Sequence, residues 1–432
     1  LLVSLLRIRR PFPRNLESSD GRETIGNERF GMTSQMRKDK RLLLFLILVL
    51  TGALLFSAVP AWAADNHGHG KSLTEARETL EQNLLPLAGA GFVGIAHSEP
   101  VGEITVFVEN EQARGRVPHS FEGYPVRTEV TGRMQALSSP LVQPLAGVSH
   151  ERRDGVRPLV GGTSLSAYVP DIYYAGTLGM VTYDEKILSN AHVIAIEPET
   201  AEFMAIGTAI LQPGSGDGGV IGDRVGELEA YIPISFDPDV ENYADAAIGS
   251  IDDGVETSAG EQFSEEGNYW VEGWTGVSNA DIVRKSGRTT GITTGEVIYT
   301  NASVGVQYGE QLAYFVDQVV VAQDDYSFAK PGDSGSAVDK GGEFVGLLFA
   351  GSADRAVICK AEHIIDGLGI TVEPLAGQYS LTISSTAGGS VVSPGEGRFL
   401  YDSEEVVNLV AAPDEHYHFA EWTGDVGGVD NV

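Results

Sequence analysis

Asn190-Ala191-His192-Val193, Tyr243-Ala244-Asp245-Ala246-Ala247 and Pro331-Gly332-Asp333-Ser334-Gly335-Ser336 are the three strings on which the reading of this chain turns. Each adjoins an apolar run of strand length, at 186–190, 246–251 and 336–338. In order they supply an imidazole, a carboxylate and a hydroxyl. A hydroxyl becomes a nucleophile when a base takes its proton during attack and later returns it to the leaving group. An imidazole can do this, and a carboxylate fixes its tautomer and stabilises the imidazolium that forms. Gly332 and Gly335 flank the Asp-Ser pair, permitting a tight turn and close approach of a substrate. The backbone N–H groups of Gly332 and Ser334 are then the expected oxyanion hole.

Singly, the strings mean little. A histidine beside a strand is most often structural, an aspartate at a strand start is a common turn former, and Gly-Asp-Ser-Gly occurs in loops. Their joint order and spacing carry the inference. His192 and Asp245 are 53 residues apart, and Asp245 and Ser334 are 89 apart. That suits a base and an acid on one barrel and a nucleophile on a second. From about 156 to 371 the chain alternates short strands with Gly, Asp and Asn turns, further strands being expected at 176–183, 319–322 and 344–350. Residues 275–282, then Lys285-Ser286-Gly287-Arg288-Thr289-Thr290-Gly291, are expected to carry the chain from one half into the other.

These features, with Ala175-Gly176-Thr177-Leu178-Gly179, make residues 156–371 resemble the trypsin-like (chymotrypsin-fold) serine peptidases, especially the bacterial, disulfide-free kind. The resemblance implies a mainly β protein with a double β-barrel. It also implies a catalytic triad of His192, Asp245 and Ser334 acting on protein or peptide substrates through an acyl-enzyme. The position that floors the specificity pocket in trypsins falls on Phe328, so the resemblance implies a preference for small or apolar residues and not for basic ones. Phe349-Ala350-Gly351 matches the strand that pairs with substrate backbone. Ser336 departs from the family, where animal trypsins keep glycine. Leu159-Val160-Gly161-Gly162 is similar to the new N-terminus that activates trypsins. Arg157-Pro158 precedes it, however, and proline resists cleavage on its amino side, so the string is read as a first strand.

The 432 residues allow two or three domains. A hydrophobic content of 42% with 53 glycines suits a globular, turn-rich protein. The formal charge of −31 argues against nucleic acid or an anionic membrane as the main partner. A single cysteine, Cys359, excludes an intrachain disulfide and is expected as a small buried core residue. No cofactor and no metal are expected. His67 and His69 fall short of the three or four fixed ligands a metal site wants.

Residues 1–35 are expected to be a mis-called upstream segment, with translation starting at Met32 or Met36. Residues 36–63 read as a signal peptide, a basic stretch followed by the apolar run 42–59 and the Ala61-Trp62-Ala63 cleavage site. This predicts a secreted or cell-surface protein. Residues 64–148 form a small α+β unit, a helix opened by the Ser72–Glu75 capping box and strands at 92–97, Glu103–Val108 and Tyr124–Val130. His97 and His119 there are read as structural. The protease-like domain takes 149–375. Residues 376–432 resemble the divergent internalin-type B-repeat of bacterial surface proteins, with the Gly388-Gly389 turn and Trp422-Thr423-Gly424-Asp425. The repeat is expected to be truncated, to use Trp422 in its core, and to associate with the cell surface. Nothing in the sequence fixes the oligomeric state.

Two other readings compete with this one. Asp354 and His363 follow Ser334 in α/β-hydrolase order, but 29 residues from serine to histidine are too few and the nucleophile-elbow pattern fails at Ser336. His363 is read instead as part of a closing helix at 362–368. The other alternative is a surface adhesion protein whose protease domain is inactive or only self-processing.

Overall fold

The computed structural model describes residues 2–4, 70–85, 91–137 and 150–423. The expected signal peptide and the leader histidines His67 and His69 lie outside the described residues. Among those described, no helix is long and apolar enough to cross a membrane.

Apolar alternation and glycine-rich turns produce strands, and the strands close into two barrels. In the first, the hydrogen-bonded order is Met180–Val181, Ile187–Ser189, Ala247–Ile251, Arg224–Tyr231, Ala209–Leu211, Ser164–Ala167 and Gly176–Thr177. The first and last of these belong to the single run expected at 176–183. That run is interrupted at Leu178-Gly179, so one segment ends the sheet at both edges and closes it. Ile187, Leu188, Leu228 and Ile248 fill the core, each full burial contributing about 1.5–3 kcal/mol.

In the second barrel the order is Ile282–Gly287, Ala337–Lys340, Glu343–Gly351, Arg355–Lys360, Gln311–Ala322 and Gly291–Tyr308. The last strand pairs back onto the first, Ile282 opposite Glu296 through to Gly287 opposite Gly291, which closes the barrel. Residues 282–287 are thus a barrel strand, and only what precedes them is connection. Val283 and Lys285 both point into the interior, so the position is a buried one. The strand expected at 319–322 is the end of a longer one. Its hairpin partner Gly291–Tyr308 contains several register shifts that break a simple alternation.

That long hairpin also receives the N-terminal strands. Phe92–Ser98 pairs with it at Ile95–Ser303 and Gly94–Val304, and Glu103–Val108 and Tyr124–Val130 continue the same sheet. Helix Leu73–Leu84 carries the expected capping box, Glu75 N–H donating to Ser72 Oγ and Ser72 N–H to Glu75 Oε2 (2.9 Å). Such a cap contributes about 1 kcal/mol. Its apolar face of Leu73, Ala76, Leu80 and Leu84 covers the strands. Tyr314 Oη, from the long hairpin, donates to Glu81 Oε1 (2.8 Å). A last strand, Met134–Ala136, lies between two strands of the same sheet, parallel to Val306–Gln307 of the long hairpin and antiparallel to Ala350–Gly351.

In the C-terminal segment, Gln378–Ile383 pairs with Gly397–Asp402, and Gly389–Ser393 pairs antiparallel with Val410–Pro413. Leu381, Ile383 and Val391 are its buried residues, with Phe419 and Trp422 packed against them.

Candidate active site

The register of the first barrel brings His192 and Asp245 together. Ser189 lies opposite Ala247, so the chain leaves one strand toward His192 at the same end where the other arrives from Asp245. After Ser189 a single helical turn, Ala191–Ile194, lifts His192 off the strand. Both side chains are buried. His192 Nδ1–H donates to Asp245 Oδ2, and His192 N–H donates to Asp245 Oδ1 (3.1 Å). Because a carboxylate can only accept, it holds the proton on Nδ1 and leaves Nε2 as the acceptor. Nε2 is buried and has no hydrogen-bond partner among the described residues. A base for an incoming proton needs that arrangement.

Three further groups grip Asp245. Asn190 Nδ2 donates to its carbonyl (2.6 Å), its N–H donates to Cys359 Sγ (3.2 Å), and Tyr308 Oη donates to Oδ2 (2.7 Å). Burial, then the Asp245 charge, pushes the Tyr308 hydroxyl well above its ordinary range, so it stays a donor. Burial likewise raises the Cys359 thiol. Cys359 is the buried core residue expected, with its sulfur facing Asp245.

Ser334 comes from the second barrel, on the turn that enters Ala337–Lys340. Gly332 and Gly335 are held at φ of +97° and +93°. A Cβ on Gly332 would fall 2.3 Å from Thr289 Oγ1, and one on Gly335 2.2 Å from Thr177 O. Only glycine fits either place. Asp333, fully buried, anchors the turn. Its Oδ1 accepts from Thr289 and Thr290 N–H (2.9 and 3.1 Å), and its Oδ2 from Lys330 N–H and Thr290 Oγ1 (2.9 and 2.7 Å). The ammonium of Lys285 lies 3.7 Å away, also fully buried. Burial lowers Lys285 to about 8, opposed by the attraction of Asp333. Asp333 therefore finds its cation in Lys285. Leu159–Gly161 is a paired strand, as read from the sequence.

Gly176-Thr177 joins the two halves. Thr177 N–H donates to Ser334 O (2.7 Å), and Thr177 Oγ1 to Gly332 O (2.9 Å). On its other side Ser189 Oγ donates to Thr177 O (2.8 Å), and Val193 packs on Gly176. The turn bearing Ser334 and the turn bearing His192 thus meet across two residues. Ser334 Oγ itself donates to Phe349 O (3.3 Å). Ser336 Oγ donates to Asp333 O (2.6 Å).

Phe328 is buried in an apolar cluster with Val283, Val297 and Ala329. Phe349, Ala350 and Gly351 form the end of Glu343–Gly351, against which Met134–Ala136 is paired. Leu137 follows that strand, and its carbonyl accepts from Gly332 N–H (2.6 Å). Of the rival residues, His363 lies in the closing helix Ala361–Leu368. Its Nε2 bonds Asp317 (2.8 Å), a carboxylate shared with Lys360 and not with Asp354. His97 is tied to Asn301 and Thr74 in the N-terminal unit, and burial lowers its basicity.

Sequence reasoning missed Tyr308, Lys285 as the partner of Asp333, and Arg288, whose Nη2 donates to Asp217 Oδ1 (2.6 Å). The alternation Val304, Val306, Tyr308 marks Tyr308 as inward-facing. Nothing local marks it as a neighbour of Asp245.

Residues 379–432 match the family model of the divergent InlB B-repeat domain. No curated protein matches the chain. Among solved structures it is similar to the chymotrypsin of Cellulomonas bogoriensis, at 17% identity over 49% of this chain and 97% of that one, with a TM-score of 0.36. It is similar to protease A of Thermobifida fusca, at 16% identity over 50% and 98%, TM-score 0.36. It is also similar to a glutamic acid-specific serine protease that uses a histidine triad in substrate binding, at 18% identity over 50% and 100%, TM-score 0.36.

Proposed function

We propose that the protein is an exported serine endopeptidase. The observation that carries the reading is the buried His192–Asp245 pair with Nε2 free, joined through Gly176-Thr177 to a turn that presents Ser334 beside the N–H of Gly332. His192 takes the Ser334 proton as the hydroxyl attacks a peptide carbonyl, and then returns it to the departing amine. Asp245 stabilises the imidazolium formed in between. The N–H groups of Gly332 and Ser334 receive the oxyanion, each such donor contributing about 10²–10³ in rate. In this reading Phe349, Ala350 and Gly351 supply the backbone edge for an extended substrate, and the apolar cluster around Phe328 takes up a substrate side chain. Export is inferred from the basic and apolar pattern of residues 36–63, and surface association from the C-terminal repeat.

No observation in the site favours an adhesion protein with an inactive protease domain. The test is hydrolysis of a peptide library by the purified chain and by Ser334→Ala. Cleavage by the first and none by the second supports the assignment. Equal rates would remove Ser334 from the reaction.

A further inference from the structure

Met134–Ala136 lies antiparallel to the end of Glu343–Gly351, with Ala136 opposite Ala350 and Gln135 opposite Gly351. Leu137 extends it, its N–H donating to Phe349 O (3.0 Å). A strand added to a sheet edge needs only such ladder bonds. The bond from Gly332 N–H to the Leu137 carbonyl is of another kind. Gly332 belongs to the turn that presents Ser334, and its positive φ is part of that turn. The Leu137 side chain, 2% exposed, is buried in the cluster that contains Phe328, Ala329, Val283 and Val297. One residue thus puts its amide on the Phe349 strand, its carbonyl on the Gly332 N–H and its side chain in the apolar cluster around Phe328. That is the disposition of an acyl-side substrate residue.

We propose that the protein cleaves its own chain after Leu137, separating the N-terminal α+β unit from the protease domain, and that it prefers leucine at the same position in other substrates. This rests on the proposed serine peptidase function. Ser334 Oγ attacks the Leu137 carbonyl carbon while its proton passes to His192 Nε2. The C–N bond to Ser138 breaks, and Nε2 delivers the proton to the leaving amine. Water then hydrolyses the Leu137 ester, which restores the Ser334 hydroxyl and leaves a Leu137 carboxylate. The cleft must be vacated by residues 134–137 before another peptide can enter.

The full chain and its Ser334→Ala variant are followed by intact mass and N-terminal sequencing. In parallel, two chromogenic peptides are assayed, one with Met-Gln-Ala-Leu and one with Met-Gln-Ala-Asp on the acyl side. The unaltered chain is expected to gain an N-terminus at Ser138, and Ser334→Ala to remain joined. The leucine peptide is expected to be hydrolysed about 100-fold faster than the aspartate peptide, because the cluster around Phe328 is apolar and the Lys285 ammonium beside it is already paired with Asp333. Leu137→Asp is expected to slow self-cleavage by a similar factor, whereas Leu137→Met is processed normally and shows that position 137 tolerates change. A chain that hydrolyses the leucine peptide yet stays joined, or cuts itself elsewhere, overturns the proposal while leaving the peptidase function standing. Cleavage at 137 in Ser334→Ala assigns the cut to another protease and also overturns it. A chain that hydrolyses neither peptide and stays joined overturns both.

Discussion

The two barrels hold their reactive groups by different means. In the first, His192 is oriented by the single carboxylate of Asp245, which also accepts from Tyr308 Oη and the backbone N–H of His192, while Asn190 holds the Asp245 backbone carbonyl. In the second, Ser334 is oriented by its own backbone. Two glycines occupy left-handed conformations, and Asp333 collects three main-chain N–H groups and one hydroxyl in front of a buried ammonium. The proposed base, His192, therefore depends on a few charge-assisted bonds whose loss acts on chemistry. The proposed nucleophile, Ser334, depends on a shared fold of the turn, whose loss acts on stability first.

Substitutions on either side test that division. Asp245→Asn should be the most severe on the base side. An amide at this position presents an N–H where a carboxylate oxygen now accepts, which favours the wrong imidazole tautomer. The expected loss is about 10⁴ in kcat with little change in unfolding midpoint, the pattern such a replacement produces in a serine triad. A chain that loses its stability together with its activity would erase the contrast between the barrels.

On the nucleophile side, Lys285→Met should lower stability by about 1–3 kcal/mol, because it leaves the buried Thr290 Oγ1 and Gly291 carbonyl without the donor that Lys285 Nζ supplies beside Asp333. The pH dependence has a definite sign. Lys285 is lowered from 10.5 to about 8 by burial, so between those values the unfolded chain carries a proton that the folded chain has released. The Lys285 contribution to stability therefore rises with pH through this window. Urea unfolding of the unaltered chain and of Lys285→Met at pH 7 and pH 10 reads it directly. The unaltered chain should gain on the variant by about 1 kcal/mol per pH unit above pH 8. A gap that narrows as pH rises would mean that Lys285 remains charged when folded.

Tyr308→Phe should have the smallest effect, about tenfold or less on kcat. It removes one donor to Asp245 and leaves the His192 bonds and the apolar packing of the ring in place. A loss near that of Asp245→Asn would make Tyr308 an equal partner in positioning the base.

Much of this site was legible in the sequence, for a physical reason. His192, Asp245 and Ser334 each stand just outside a strand whose apolar residues announce it, and Gly332 and Gly335 advertise a turn that other residues cannot make. The residues that support them were not legible, because their roles depend on pairings across the fold. Tyr308 meets Asp245 across 63 positions and Thr289 meets Asp333 across 44. Lys285 stood in a stretch read as connection, and its burial follows only from closure of the second barrel. The N-terminal strands were readable one by one from their alternation. Their hydrogen bonding into the long hairpin was not, because Gly295, Asn301 and the register shifts of Gly291–Tyr308 obscure its length. Met134–Ala136 is too short to carry a period at all.

The central claim is that His192 and Ser334 act on one carbonyl beside Gly332. Its most direct test is labelling with a fluorophosphonate, using protein incubated until its peptide hydrolysis is constant, followed by mass mapping of the adduct. A single phosphonyl group on the peptide containing Ser334, absent from His192→Ala, is the predicted result. An active protein with Ser334 unlabelled, or labelled equally without His192, would contradict it.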